Sequence, residues 1–204
     1  MKKLFGIILL LFGIFIAANA QKISVGYGLG SGSMFLFEKN DNAVDISYAA
    51  PFASFVNFKY MPESVPINVK IEWQYLNTGI TGTNWMSHNA VDGEVSSLTT
   101  LLIFEYLKNE KKLNFGGHIG IGYSHENYIE NLELRTAKTD KRNFMSISIA
   151  GIASLKMSDR FSLQFIPSLL WSDPVNSFRD SSQWNIAGED LSFLAQVGFS
   201  YTLN

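Results

Sequence analysis

The sequence predicts an all-β protein, an eight-stranded antiparallel up-and-down barrel that crosses a membrane, and three observations lead to this fold class. Apolar and polar residues alternate with a period of two in eight segments of the 204-residue chain, and no segment shows convincing helical periodicity. The connections between these segments alternate between short and long. Charged residues make up only 17% of the chain, whereas soluble domains typically contain about 25%.

The composition excludes several classes of function. The 16 basic and 18 acidic residues give a formal charge of −2, so the chain lacks the basic surface that nucleic-acid binding requires. The absence of cysteine excludes disulfides, thiolate metal sites, thiol catalysis and a lipid-modified N-terminal cysteine. At this length we expect one barrel domain.

Residues 1–20 have the organisation of a cleaved export signal. Lys2 and Lys3 precede a thirteen-residue apolar run, and four small residues, Ala-Ala-Asn-Ala, end the segment. The run is shorter than the roughly 20 apolar residues that a membrane-spanning helix needs. We therefore expect a signal peptide at 1–20 and an outer-membrane barrel domain at 21–204, which must cross the membrane with strands.

The first four predicted strands are residues 23–29, 44–60, 67–75 and 98–106. In the first, Ile, Val, Tyr and Leu alternate with serine and glycine; in the third, Ile, Val, Trp and Tyr alternate with Asn, Lys, Glu and Gln. Successive side chains on a strand point to opposite faces, so each segment has one apolar and one polar face. Phe55, Leu101 and Ile103 are exceptions to the alternation.

The last four predicted strands are residues 113–125, 145–157, 161–172 and 190–204. The final one has the clearest pattern, because its odd positions are apolar and its even positions are mostly polar or glycine. The exceptions in these strands are Ile152, Ile166, Leu170 and Leu194. Pro51 and Pro167 each remove a ladder donor within a predicted strand, so we expect a bulge or a shortened strand at each.

The connections predict how the strands are arranged. Residues 61–66, 108–112 and 158–160 are tight and polar, as hairpin turns are. Residues 77–94, 129–143 and 173–189 form longer polar stretches, and the short link at 38–42 occupies the same alternate position. Short turns on one side and longer loops on the other are typical of an outer-membrane barrel, with both chain ends on the short-turn side.

The polar face indicates which side of the barrel is outside. A lipocalin-like soluble barrel hides its apolar face, whereas a membrane barrel exposes it. The polar positions are mostly Gly, Ser, Ala, Thr, Asn and Gln, which suit a crowded lumen better than a charged, water-facing surface. Aromatic residues lie at both ends of the apolar face, as at the two interfaces of a bilayer. They are Tyr60, Tyr106, Phe115, Phe161 and Tyr201 near the short turns, and Tyr48, Tyr75, Tyr123 and Trp171 toward the long loops.

With these strands and the closing stretch Val197-Gly198-Phe199-Ser200-Tyr201, the chain resembles small outer-membrane β-barrel proteins of the OmpA/OmpX-like superfamily. In character it is similar to the barrel-domain proteins of Bacteroidetes. The resemblance implies a Gram-negative outer-membrane location and recognition by the barrel-assembly machinery through a terminal aromatic residue. Here Tyr201 is followed by three further residues, so that aromatic is displaced from the end.

Four charged residues share the polar face near the short turns: Lys59, Lys70, Glu72 and Glu105. Unpaired charges in a barrel interior would be very costly, so we expect these residues to form a paired network. An eight-stranded barrel leaves room for little more than side chains, so the network would block solute flow. We expect a structural role, with transport or proton relay as the alternative.

The sequence predicts no metal site and no cofactor. His88, His118 and His125 do not have the spacing of a metal site, and the glycine-rich stretches at 26–30 and 116–120 precede no helix that could bind a nucleotide. Those glycines are interpreted as making room for neighbouring side chains or as letting the strands coil. His125, Ser124 and Glu126 at the loop end suggest a lipid A-modifying acyl hydrolase, but adjacent strand residues diverge and form no triad.

We therefore expect a non-enzymatic outer-membrane protein without an open pore, acting in structural support or in surface recognition through its loops. The expected partners are outer-membrane lipid, the barrel-assembly machinery during insertion and an extracellular molecule of unknown identity. Aromatic and Arg side chains are common interface anchors, so the candidate loop contacts are Trp85, Arg135, Arg142 and Trp184. The main alternative is a soluble secreted or periplasmic barrel that binds an apolar ligand.

Overall fold

The structure, a computed structural model, describes residues 22–36, 44–62, 65–84, 88, 90–108, 111–130, 138–172 and 190–203. These residues form nine β-strands in one antiparallel sheet. The strands are β1 Lys22–Leu36, β2 Val44–Tyr48, β3 Phe52–Met61, β4 Ile67–Asn84, β5 Ala90–Leu107, β6 Leu113–Glu130, β7 Lys138–Lys156, β8 Phe161–Ser172 and β9 Asp190–Thr202.

The sheet closes into an eight-stranded barrel with one extra strand, because β2 and β3 lie in tandem beside β4. The pairing can be followed once around the barrel through Ser24, Lys59, Lys70, Ile103, Gly120, Ser148, Leu170, Ser192 and Met34. The path returns to β1 ten residues beyond its start. With eight strands, this stagger gives a strand tilt of roughly 40° and about 16 Å between opposite backbones. The predicted all-β, eight-stranded antiparallel barrel is confirmed.

A bulge at Pro51 separates β2 from β3. Phe52 pairs with Asn77 of β4, whereas Tyr48 pairs with Ile80. The chain advances four residues from Tyr48 to Phe52, whereas β4 advances only three between their partners. One extra residue therefore bulges out of the ladder. The bulge expected at this proline is confirmed, and it divides the single strand predicted there into two.

Pro167 has a milder effect than predicted. It pairs in register with Ala195 of β9, and the pairs Ala150–Ser168 and Ala153–Phe165 show that β7 and β8 keep one register on either side of a short gap in their ladder. A strand residue directs its N–H toward one neighbour only, so a missing donor interrupts one ladder and spares the other. The bulge or shortening expected here is therefore wrong.

The apolar face of the sheet is on the outside. Val197, Phe199 and Tyr201 are 44–48% exposed, whereas Gln196 and Ser200 on the same strand are only 2% and 6% exposed. The same alternation is found in the other long strands, with Ser, Thr, Asn and Gln side chains buried in the lumen. The described residues include no helix long and apolar enough to cross a membrane. The predicted orientation of the two faces is confirmed.

The strands are longer than the sequence predicts on the loop side. β4 runs to Asn84 and β5 starts at Ala90, so most of the loop expected at 77–94 is strand. Likewise β6 runs to Glu130 and β7 starts at Lys138, which reduces the loop expected at 129–143. Where a strand has no apolar face to present, its side chains need not alternate, but the backbone still satisfies its hydrogen bonds by pairing. The ladder therefore continues after the alternating pattern ends, and this part of the prediction is wrong.

The short-turn side agrees with the sequence. β3 and β4, β5 and β6, and β7 and β8 are joined by the three predicted tight connections. β1 starts and β9 ends at this side, where Ser24 pairs with both Lys59 and Thr202. The first and last described strand ends therefore lie together at the short-turn end of the barrel.

The seven apolar exceptions to the alternation all lie buried in the lumen, at most 3% exposed. Six of them join other buried residues in two apolar clusters, one around Leu101, Ile103, Leu170 and Leu194, the other around Phe55 and Ile166. The ring of Phe55 covers Gly28 and Gly198, and a Cβ placed on Gly198 would lie 2.7 Å from the Cζ atom of that ring. The interpretation that the glycines of 26–30 make room for side chains is confirmed at Gly28.

We predict that Gly198→Val destabilises the barrel by about 1–3 kcal/mol, because its side chain overlaps the Phe55 ring in a packed lumen. Combining it with Phe55→Ala should lower the free energy of unfolding by less than the sum of the two single changes. Urea unfolding of the folded barrel measures all three variants.

Gly151→Val is the matched control, since a Cβ there would lie no closer than 3.6 Å to a neighbouring side chain, that of Pro167 on the outer wall. We expect its free energy of unfolding to be close to that of the unmodified protein. Strict additivity of Gly198→Val and Phe55→Ala would contradict the proposed packing.

Candidate functional site

The lumen brings the four predicted charged residues together near the short turns. Lys59 lies on β3, Lys70 and Glu72 on β4, and Glu105 on β5, and each is at most 4% exposed. Residues two apart on a strand share a face, so the even spacing on β4 directs both of its charged side chains inward. The register then sets Lys59 directly opposite Lys70.

Ion pairs and amide hydrogen bonds connect this network. Lys59 Nζ lies 3.0 Å from Glu105 Oε1, and Lys70 Nζ lies 3.0 Å from Glu72 Oε2 and 3.9 Å from Glu105 Oε2. The amide of Asn68 donates to Glu105 Oε1 at 3.1 Å, and that of Asn57 donates to Glu72 Oε2 at 3.2 Å. Two cations therefore pair with two carboxylates, and each carboxylate also accepts a hydrogen bond from a neutral amide. Such pairing is what makes buried charges tolerable.

Hydroxyl groups form a second polar layer farther toward the loop end. Thr99 Oγ1 lies 2.6 Å from Ser124 Oγ, which in turn lies 2.5 Å from Ser146 Oγ, so the chain of hydroxyls crosses β5, β6 and β7. Each hydroxyl can donate and accept, and the chain satisfies these buried groups mutually. These side chains pack in the lumen between the strands. Sequence alternation alone does not show which of them contact one another.

The three residues of the alternative hydrolase site do not converge. Ser124 and Glu126 are buried in the lumen, whereas His125 lies on the outer wall with its Nδ1 atom 2.6 Å from Asn143 Oδ1. A nucleophile and its base must be within hydrogen-bond reach of each other, and opposite faces of a strand prevent this. The geometry therefore provides no Ser-His arrangement on these residues.

His118 is also a lumenal residue. Its Nε2 atom lies 3.1 Å from Ser148 Oγ across the β6–β7 ladder. Within the described residues, no group of three or more His, Cys, Asp or Glu side chains could hold a metal ion.

A second charged group lies at the mouth of the barrel on the short-turn side. Lys156 Nζ at the end of β7 lies 2.8 Å from Asp159 Oδ1 in the following turn, and both side chains are largely in water. The turn is built by Ser158 Oγ, which accepts hydrogen bonds from the N–H groups of Arg160 and Phe161. The hydrogen bond and the charge of Lys156 hold the pKa of the Asp159 carboxyl below its usual value. The sequence analysis did not identify this charged group, although Asp159 lies between Ser158 and Arg160 in a predicted tight turn.

The side chains of the four candidate loop contacts lie outside the described part of the chain. Trp85, Arg135 and Trp184 lie outside the described residues. Arg142 pairs with Glu126 through the β6–β7 ladder, but its side chain also lies outside the described part.

Comparison with known proteins supports the fold. No family model matches the sequence, and no curated protein matches it. A major outer membrane protein of Thermus thermophilus superimposes with a TM-score of 0.65 at 13% identity, over 91% of this chain and 100% of that chain. Neisserial surface protein A superimposes with a TM-score of 0.51 at 8% identity, over 90% of this chain and 97% of that chain. The chain thus has the fold of solved outer-membrane barrels.

We predict that Glu105→Gln lowers the free energy of unfolding by about 3–5 kcal/mol, because it leaves two buried lysines facing a single carboxylate. Adding Lys59→Met should recover part of this loss, since Lys70 and Glu72 then remain as a balanced pair at 3.0 Å. Urea unfolding with heat-dependent gel mobility reports both effects.

Asp159→Asn removes the carboxylate of the exposed ion pair and is the control, with no measurable change expected. A double variant that loses stability equal to the sum of its two single changes would show that charge balance does not hold the network together.

Proposed function

We propose that this protein resides in the outer membrane of a Gram-negative bacterium as a barrel without an open pore. The observation that carries the proposal is the outer wall, where large apolar side chains from all the long strands are exposed to the surroundings. Burying exposed apolar surface is favourable by about 25 cal/mol per Å², so a wall of this kind needs an apolar medium. Acyl chains of a bilayer supply that medium.

The height of the apolar wall fits a bilayer. Tyr75 pairs with Leu98, which lies eight residues before Tyr106 on β5. With the tilt set by the stagger, eight residues of β5 rise about 20 Å along the barrel axis and Tyr75 lies about 3 Å below Leu98, so Tyr75 and Tyr106 are about 17 Å apart along that axis. Membrane barrels carry an apolar band of about 25 Å between two aromatic girdles, and these tyrosines fit those positions.

The proposal includes export and topology. The segment 1–20 is proposed as a cleaved signal, 21–204 as the barrel domain and the barrel-assembly machinery as the insertion partner. The short-turn end would then face the periplasm and the long strands of β4 to β7 the exterior. These predictions rest on the sequence pattern and on the short turns at one end.

The lumen supports a structural role for Lys59, Lys70, Glu72 and Glu105. Their ion pairs lie near the short turns, and the two apolar clusters fill other parts of the lumen beside and beyond them. A hydrated solute would have to break the pairs and then cross apolar side chains. We therefore propose that the ion pairs and the apolar clusters block the lumen. Function would then lie in outer-membrane support or in recognition by the exposed strand ends.

The alternative of a soluble barrel with an apolar ligand inside is opposed by the exposure of the two faces. Such a barrel requires the apolar face in the lumen, but residues such as Phe104 and Ile121 are exposed while Thr99 and Ser124 are buried. A rim hydrolase is opposed by the divergence of Ser124 and His125 described above.

Membrane fractionation tests the proposal. We expect the exported chain to sediment with outer membranes and to migrate differently on gels before and after boiling, because a folded barrel resists detergent until heated. Recovery in the soluble periplasmic fraction, with unchanged mobility on boiling, would contradict it.

Val197→Arg provides a matched test of the lipid-facing wall, with an expected destabilisation of about 2–4 kcal/mol in the bilayer. Thr81→Arg introduces the same charge on an exposed position of β4 beyond the belt and should have little effect. Equal effects of the two arginines would show that Val197 does not contact acyl chains.

Conductance across a planar bilayer tests the closed lumen. We expect the folded protein to give no steady ion current, because charged pairs and apolar clusters fill its interior. A reproducible single-channel conductance from the unmodified chain would contradict the absence of an open pore.

A further inference from the structure

A cavity of about 330 Å³ lies at the mouth of the barrel on the short-turn side. Its lining includes Lys22 at the start of β1, Lys156 at the end of β7, and Asp159 and Arg160 in the turn that follows. This volume is within the range of about 300–1,000 Å³ typical of small-molecule sites. We call this cavity the cationic vestibule.

The vestibule carries an excess of positive charge. Three of its lining side chains are basic and one is acidic, and Asp159 is paired with Lys156 at 2.8 Å. Among the described residues, neither Lys22 nor Arg160 forms an ion pair within 4.0 Å, although the charge of Lys22 also acts on Asp159, and both cations are exposed. Two cations are therefore available to an incoming anion. Arginine in particular presents a planar fork of donors that matches a phosphate group.

Neutral donors complete the lining. Ser158 Oγ accepts two backbone hydrogen bonds in the turn, which leaves its O–H free to donate. Ser162 and Thr202 contribute two further hydroxyl groups. An anion here would meet both charge and hydrogen-bond donors.

The vestibule crosses the rim of the barrel wall. It is lined by Ser162 on the lumenal face of β8 and by Phe161 on its outer face, so it opens sideways toward the membrane as well as toward water. Phe161 pairs with Tyr201 and stacks on Phe199, with ring centroids 5.5 Å apart. Aromatic residues of this kind lie at headgroup depth, so the vestibule is level with lipid phosphates.

We propose that the cationic vestibule binds the phosphodiester headgroup of an anionic phospholipid from the leaflet on the short-turn side. Arg160 and Lys22 contact the phosphate oxygens, Lys156 adds charge, and the hydroxyls orient the glycerol portion. Met61 and Phe161 offer apolar contact to the first carbons of the acyl chains. The inference rests on the proposed membrane residence of the barrel.

The test uses the mature chain folded into phosphatidylcholine vesicles that contain spin-labelled phosphatidylglycerol. The association of the labelled lipid with the protein, relative to labelled phosphatidylcholine, is the readout. We expect Lys22→Gln/Lys156→Gln/Arg160→Gln to reduce the preference for phosphatidylglycerol about tenfold or more. Asp159→Asn should act in the opposite direction and raise the preference, because it removes the one carboxylate from the lining.

The matched control is Lys108→Gln/Lys111→Gln/Lys112→Gln, which removes three cations from another turn at the same end of the barrel. We expect it to change the preference by less than about twofold if the vestibule is the site. Equal losses in both triple variants would indicate diffuse interfacial charge and overturn the proposal. Absence of any preference in the unmodified chain would also overturn it.

Competition with inorganic phosphate distinguishes a lipid headgroup from a free phosphate ion as the bound anion. If millimolar phosphate displaces the labelled lipid completely from the unmodified protein, the vestibule takes a free anion and the phospholipid assignment is wrong. Every variant is first checked for insertion by its heat-dependent gel mobility. A chain that fails to insert refutes the proposed membrane residence, whereas an inserted chain without lipid preference refutes only the vestibule.

Discussion

Closure of the sheet with a stagger of ten residues is the constraint on which the rest of this structure depends. In hydrocarbon, every backbone N–H and C=O must be paired within the protein, and a closed barrel meets this demand without leaving strand edges. The stagger also fixes the width of the lumen, at about 16 Å between opposite backbones. Little more than side chains can fit inside, so each inward residue is selected by the space and partners it finds across the barrel.

Two solutions to this crowding are visible. Near the short turns, charged residues are packed as balanced pairs with amide donors, and removal of one partner leaves a charge with no water to solvate it. Elsewhere in the lumen, apolar side chains pack beside the hydroxyl layer, and Phe55 fits because glycines face it on β1 and β9. The lumen thus joins a polar layer to apolar clusters, which explains why the polar face of the sequence contains isolated large hydrophobic residues.

Local pattern predicted what depends on local geometry. Alternation placed Gln196 inside and Val197 outside, and parity alone put Lys70 and Glu72 on one face. It did not predict that Ile103 and Leu170 join one apolar cluster, because that packing depends on the stagger around the barrel. The loop ends of β4 and β5 were missed for another reason, since a strand can keep its ladder without alternating. The vestibule was missed because its cations come from β1, β7 and a turn that closure brings together.

The claim that the apolar side of the strands touches acyl chains is tested most directly by spin labels, for which a chain without cysteine is well suited. Val197→Cys and Gln196→Cys place adjacent labels on opposite faces of β9 in a reconstituted bilayer. We predict that the label at 197 collides mainly with lipid-soluble oxygen, while the label at 196 is shielded from oxygen in the lumen. A label at 197 accessible to a water-soluble nickel complex, with oxygen collisions at 196, would contradict this account of the protein.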